Sequence, residues 1–398
     1  MPEPSERLSI APIVALGATQ IIGYGTLYYA FSILAPDMAR DLSWSVEWIF
    51  GILSISLLVG GLVAPWFGIL IDRYGAGRMM TIGSACVAAA LVGCSLAPNK
   101  LVFAGTLIVV EVAASLVQYG AAFALLVQLR PQGAQRSITY LTLIGGFAST
   151  VFWPITAFLE AYMSWRSTYL IFAALNLLVC LPLHAWLARG LARSRAGITT
   201  GAEAVAGRLS AARRPAGFAL MILAFSLQSF VASAVLIHMV PMLSELGLTA
   251  TAAIIATFFG PSQVASRLIN MAFGRNLSPV ILATIAAALM SGALLVLVFS
   301  APSVTGAMAF AVLFGLGNGL FSIVLGTLPL LLFGSEGYGR LQGRVGSARL
   351  IVSAAAPFAL AAGMAQIGVV WSLSATMALG AGSVLAFLGI FRLLRMKE

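Results

Sequence analysis

Charge is what this chain has least of: Asp, Glu, Lys and Arg together make up 9% of its 398 residues, and only 12 residues are acidic. So little charge excludes the water-facing surface that an ordinary soluble domain of this length needs. Cysteine is also scarce. Cys86, Cys94 and Cys180 are odd in number, lie inside apolar runs and lack ligand spacing, which excludes a disulfide framework or a zinc site. Cys86 and Cys94 stand eight residues apart, roughly 12 Å along a helix, too far to share one ion. No nucleophile-base constellation, metal cluster or phosphate loop is present, which disfavours a membrane-embedded enzyme. A receptor or sensor would need a soluble output domain, and none is present. Neither cofactor nor metal is expected.

What the chain does have is apolar length. Hydrophobic residues make up 61% of it, in continuous runs of about twenty residues or more rather than the alternating ten-residue segments of a β-barrel. The expected fold is an all-α polytopic membrane protein with twelve transmembrane helices at 12–34, 45–70, 78–96, 101–126, 137–160, 166–187, 216–240, 250–273, 279–299, 304–332, 350–366 and 369–391. The net charge of +10 is dispersed between these runs, so it reads as a topology signal and not as a nucleic-acid surface. One set of connectors is poor in base: 36–43, 98–100, 161–165, 242–248 and 300–303. The other carries Arg73 and Arg78, Arg130 and Arg136, then Arg189, Arg193, Arg195, Arg208, Arg213 and Arg214, then Arg275, then Arg340 and Arg344. The positive-inside rule places that second set, and both termini, in the cytoplasm. The segment Met1 to Leu8 is short and polar, and the first apolar run is too long for a signal peptide, so no removable leader is expected.

The longest polar stretch divides the chain into a first six-helix bundle at 1–188, a cytoplasmic inter-bundle loop at 189–215 and a second six-helix bundle at 216–398. The halves echo each other weakly. Pro36-Asp37-Met38 answers Pro241-Met242-Leu243, and Pro154, preceded by Trp153 in span five, answers Pro357 in span eleven.

Between spans two and three stands Gly68-Ile69-Leu70-Ile71-Asp72-Arg73-Tyr74-Gly75-Ala76-Gly77-Arg78, charged and punctuated by glycine. Asp72, Arg73 and Arg78 are costly in hydrocarbon, so this segment belongs at a water interface. Gly68 permits a close backbone approach, while Gly75 and Gly77 are expected to supply the dihedrals of a tight helix-to-helix turn. Gly68, Asp72, Arg73 and Gly75 resemble the G-x-x-x-D-R-x-G signature of the major facilitator superfamily. Ala76 and Gly77 depart from it by standing between the second glycine and Arg78. In the second half the counterpart, Phe273-Gly274-Arg275-Asn276, has lost its aspartate. The resemblance implies two pseudo-symmetric six-helix bundles, a small-molecule substrate at midplane, and an aspartate docked on the N-terminal end of a neighbouring helix. An unrelated twelve-helix protein is the alternative.

Ionisable groups at membrane depth are functional candidates by default. Glu111 is the one clearly deep acid, a carboxyl that could load and release a proton; the bland alternative is a structural Glu. Arg267, deep in span eight, cannot shed its charge and needs an anion, either a substrate or a protein carboxylate such as Glu111. Its position is similar to the span-eight arginine of monocarboxylate transporters and the oxalate:formate antiporter group, where that residue is associated with substrate carboxylates. Gln263 stands where many of those carriers have an aspartate. Arg349, near the start of span eleven, is either a second anion contact suited to a dicarboxylate or an arginine snorkelling to the interface.

Gln20, Tyr24 and Tyr28 fall on one stripe of span one at spacings of four, with Tyr29 off it as an interface anchor. Gln118, Tyr119, Gln228 and Asn318 are further cavity candidates, each equally able to bond helix to helix. His184 and His238, near span ends, are either titratable near neutral pH or structural.

The sequence therefore points to a secondary transporter of the bacterial inner membrane, expected to act as a monomer on a small organic anion by alternating access, with proton coupling through Glu111. Efflux of drugs or arsenicals is the alternative. Gln20 to Tyr29 faintly resemble arsenical exporters, but no three-thiol pocket is evident. Span four lacks the arginine signature of drug:proton antiporters, with Ala114 at the equivalent place.

Overall fold

A computed structural model describes residues 10–197, 204–274 and 277–396, without side chains at 191–197. Met1 to Leu8, Arg275 and Asn276, and the side chains of Arg193 and Arg195, lie outside the described residues. Among the described residues the chain is helical, without a β-strand. Twelve helices are long and apolar enough to cross a membrane: α1 (Ile10–Asp41), α2 (Val46–Tyr74), α3 (Ala76–Ser95), α4 (Lys100–Leu129), α5 (Pro131–Tyr162), α6 (Trp165–Gly190), α7 (Ala211–Leu248), α8 (Ala252–Phe273), α9 (Pro279–Ser300), α10 (Val304–Phe333), α11 (Tyr338–Ile367) and α12 (Val369–Arg395). Several start on a side-chain cap that accepts an orphaned amide: Ser45, Asn99, Ser164, Ser278 and Ser303.

The spans outrun the expected ones because hydropathy sees the hydrocarbon-crossing part and misses polar helical ends. Pro36, expected in a connector, lies inside α1, whose last turn carries an Asp37–Arg40 ion pair. The expected connector 242–248 continues α7 until Gly247 (φ 86°) breaks it. α11 begins at Tyr338, twelve residues before the expected start, because its polar residues Arg340, Gln342 and Arg344 hide it from a hydropathy window.

The α2–α3 junction is far tighter than an eleven-residue turn. α2 runs through Tyr74, Gly75 alone takes a left-handed φ of 91°, and α3 begins at Ala76. Gly77 is helical, contrary to its expected role as a turn residue. It instead allows close packing, since a Cβ there would come 2.7 Å from the backbone of Ala188.

The chain forms two compact units. The first is Met1–Ala206 with Ser335–Arg344, and the second is Gly207–Gly334 with Val345–Glu398. In the first, Phe31, Leu34, Phe103, Val87 and Phe172 close a core; in the second, Phe310, Phe314, Met290, Leu294 and Val235 do so.

Candidate functional site

In the first unit, Asp72 accepts two backbone hydrogen bonds at 2.8 Å, Oδ1 from the Gly339 amide and Oδ2 from the Arg340 amide, in the first turn of α11. Those amides have no partner inside their own helix, and the carboxylate also meets the positive end of its dipole. Gly68 makes the approach possible: a Cβ there would stand 2.5 Å from the Gly339 carbonyl, and one on Gly343 would stand 2.6 Å from the Ala64 carbonyl. Gln128 of α4 braces the junction from the other side, with Oε1 accepting from the Ala76 amide at 2.9 Å and Nε2 donating to the Ile71 carbonyl at 3.3 Å. Sequence reasoning missed Gln128, whose only signal was its polarity at the end of an apolar run.

α4 is interrupted. Its helix stops at Ala114 and restarts at Tyr119, with Gln118 extended between (φ −77°, ψ −176°). A break in a span leaves carbonyls unbonded, and one is met by Gln20 of α1, whose Nε2 donates to the Val117 carbonyl at 2.8 Å. The other amide atom, Gln20 Oε1, is buried without a partner. Tyr24 and Tyr119 pack with ring centroids 4.7 Å apart, and Tyr119 stacks on Phe123. Gln20, Tyr24, Gln118 and Tyr119 are thus brought together at the break. α1 carries a π-helical turn over Gly25–Tyr29, which shifts the phase of the Gln20-Tyr24-Tyr28 stripe. Tyr28 is half-exposed, and Tyr29 meets it and Trp153 edge to face. Trp153 also lines an open groove of about 510 Å³, with Ser32, Ile33, Ser149, Thr150 and Pro154. Glu111 is buried on the α4 segment before the break, with its backbone against Gly60 of α2. Among the described residues its carboxyl has no hydrogen bond or ion pair.

His184 is structural in its contacts. Its Nδ1 lies 2.7 Å from Ser84 Oγ and its Nε2 lies 3.0 Å from Thr19 Oγ1, in the interior. The Thr19 hydroxyl donates to the Leu16 carbonyl, so it accepts from Nε2–H, and Nδ1 accepts from Ser84.

In the second unit, Gly315 and Gly319 let α8 press against α10; a Cβ on Gly315 would stand 2.5 Å from the Phe259 carbonyl. That approach sets Arg267, 3% exposed, against the α10 backbone. Its Nε donates to Ser322 Oγ at 3.1 Å and, at 3.4 Å, towards the Gly319 carbonyl. Nη1 is buried without an acceptor. Of the 12 acidic residues only Glu245 and Glu398 belong to this unit, and Glu245 is exposed. Gln263 is buried one turn before Arg267, and Asn318 lies part-buried beside Gly319 on α10. Gln228 is packed against Met290, with Nε2 on its sulfur and Oε1 unpartnered. Arg349 does not lie at the start of its helix. It stands eleven residues into α11, where its Nε donates to Ser229 Oγ at 2.9 Å and its guanidinium lies over Phe321.

A profile of the Major Facilitator Superfamily matches residues 16–357. The chain belongs to that superfamily. The resemblance carried by Gly68, Asp72, Arg73 and Gly75 holds at this level, as does the all-helical fold of twelve spans. No curated protein matches the chain in sequence. Solved structures of superfamily members share its fold. The proton:xylose symporter XylE, bound to 6-bromo-6-deoxy-D-glucose, superposes with a TM-score of 0.75 at 14% identity, covering 97% of this chain and 96% of that one. The human organic anion transporter MFSD10 gives 0.70 at 16% identity over 99% and 100%. The E. coli fucose:proton symporter FucP gives 0.67 at 13% identity over 96% and 99%. As a superfamily member the chain is a multi-pass protein of the lipid bilayer, and the family points to transport of small molecules rather than to an enzyme.

Proposed function

We propose that this superfamily member is a secondary transporter of a small organic anion, monocarboxylate-like in class. The observation that carries the reading is Arg267: a permanent cation, buried, with one terminal nitrogen unmatched in a unit almost without acids. Burying such a charge is costly unless an anion joins it, and a guanidinium presents parallel donors that fit a carboxylate. Arg349, held at depth by Ser229, is a second basic group for a larger or doubly charged anion. That the fold also serves an organic anion transporter in MFSD10 agrees with such a cargo.

The remaining roles follow the same reading. Gln20, Tyr24, Tyr28, Gln118 and Tyr119 offer polar contacts from the first bundle, and Gln228, Gln263 and Asn318 from the second. Glu111 carries the coupled proton. The bundles at 1–188 and 216–398 alternate access across a bacterial inner membrane, and both termini face the cytoplasm, where the arginine-rich connectors lie.

The test is a thermal-shift screen of purified protein against lactate, pyruvate, oxalate, formate, arsenite and cationic dyes, repeated on Arg267→Gln. Stabilisation by a carboxylate that disappears in the variant is the expected result. Stabilisation by arsenite or dyes alone would overturn the anion reading in favour of efflux. In liposomes, Glu111→Gln should retain the bound anion's effect on stability yet lose accumulation driven by a proton gradient. Proton-driven accumulation unchanged in that variant would remove Glu111 from coupling.

A further inference from the structure

α11 is the least buried of the twelve spans, yet α7 reaches it three times along one seam. Arg349 Nε donates to Ser229 Oγ, Ser233 Oγ donates to the Ser353 carbonyl, and His238 Nε2 meets the Pro357 carbonyl, each at 2.9 Å. The α11 partners are spaced by four residues, and the α7 partners by four and five. The three bonds therefore fall on facing stripes of the two helices.

The middle bond has a specific cause. In a helix the carbonyl of residue 353 would accept from the amide of residue 357, and residue 357 is proline, which has no N–H. Ser353 is thus the carbonyl that Pro357 leaves unbonded. The Ser233 hydroxyl replaces the lost donor. His238 adds a second tie on the other side of the interrupted turn. A carbonyl only accepts, so His238 Nε2 carries the proton in this contact.

The related proline in the first unit borders a groove. Pro154 of α5 removes the donor for the Thr150 carbonyl, and Thr150 and Pro154 line the open groove beside Ile33.

We propose that Ser233 and His238 are positioning residues that together form a hinge pin for α11: the turn at 353–357 is where that helix yields, and α7 supplies the donors that hold it. The pin is independent of which solute is carried, so it stands or falls apart from the anion reading. When α11 bends, the lower segment carrying Arg349 and the upper segment beyond Pro357 turn about these two side chains.

The test uses full-length protein in lipid nanodiscs and follows amide hydrogen exchange in α11. Ser233→Ala should speed exchange at residues 354–361 by roughly 5- to 10-fold, since one net hydrogen bond is lost from a local opening equilibrium. Ser233→Thr, which keeps the hydroxyl, should restore protection. Pro357→Ala returns the missing N–H, so in that background Ser233→Ala should change exchange by less than about twofold. His238→Gln, which retains a donor at similar reach, should stay protected, whereas His238→Leu should not. Equal effects of Ser233→Ala with and without Pro357, or no effect in the native chain, would overturn the proposal.

Discussion

Arg267 reaches Ser322 through Nε, at 3.1 Å, and not through the terminal nitrogens of its guanidinium. The inner edge of the group is anchored to α10, and Nη1 on its outer edge is buried without a partner. This orientation separates two outcomes that a surface arginine would not separate.

Arg267→Gln should weaken carboxylate binding by roughly 10- to 100-fold, the worth of one or two charge-assisted hydrogen bonds. The ligand-free variant should melt no lower than the native protein, because an uncompensated buried charge is removed. Arg267→Lys should recover part of the affinity at most, since an ammonium cannot present the fork. Calorimetry with oxalate or pyruvate and ligand-free melting curves check the two signs together.

Asp72→Asn should destabilise the α11 start by about 1–3 kcal/mol, because one of the two facing amides then meets an NH2 group instead of an acceptor. Faster exchange of the Gly339 and Arg340 amides, together with a lower melting temperature, is the expected signature. Arg73→Gln and Arg78→Gln should have much smaller effects, as neither arginine belongs to an ion pair among the described residues. The signature works here through backbone capping by the aspartate.

Gln128 separates donor from acceptor. Gln128→Glu keeps the oxygen that accepts from Ala76 and loses the donor to Ile71, while Gln128→Leu loses both. Leucine should cost about 1–3 kcal/mol from the orphaned Ala76 amide, and glutamate less, as measured by denaturant unfolding in detergent.

Gly25→Ala should cost about 1–3 kcal/mol through overpacking, because its Cβ would clash with Cγ of the Phe152 ring. Trimming the ring with Phe152→Leu in the same chain should return part of that loss, and thermal melting of the single and double variants measures it.

Most of the architecture was legible because twelve apolar runs are a strong signal, and because Asp72 and its glycines mark one interface unambiguously. The α4 break was not legible. Residues 115–118 contain neither proline nor glycine, and the Val117 carbonyl at the interruption is met by Gln20, nearly a hundred residues away in sequence. The early start of α11 was hidden for a related reason: its first amides are satisfied by Asp72 from another helix, a partner that no local window contains. Arg267 was found from its depth and from its likeness to the span-eight arginine of monocarboxylate transporters. Its lack of an acidic neighbour in its own unit needed the fold.

The Asp72 contact is made wholly to backbone amides, so it places almost no demand on the side chains it holds. Arg340 can be exchanged for any residue that keeps its N–H, and the electrostatics of this face retuned, without touching the two bonds. Proline at 340 would delete one donor, and position 339 joins Gly68 and Gly343 as a place where side-chain size is fixed, since a Cβ there would stand 2.5 Å from Asp72 Oδ1. Variation at this interface is therefore channelled: charge is free to drift at 340 while glycine is held at 339.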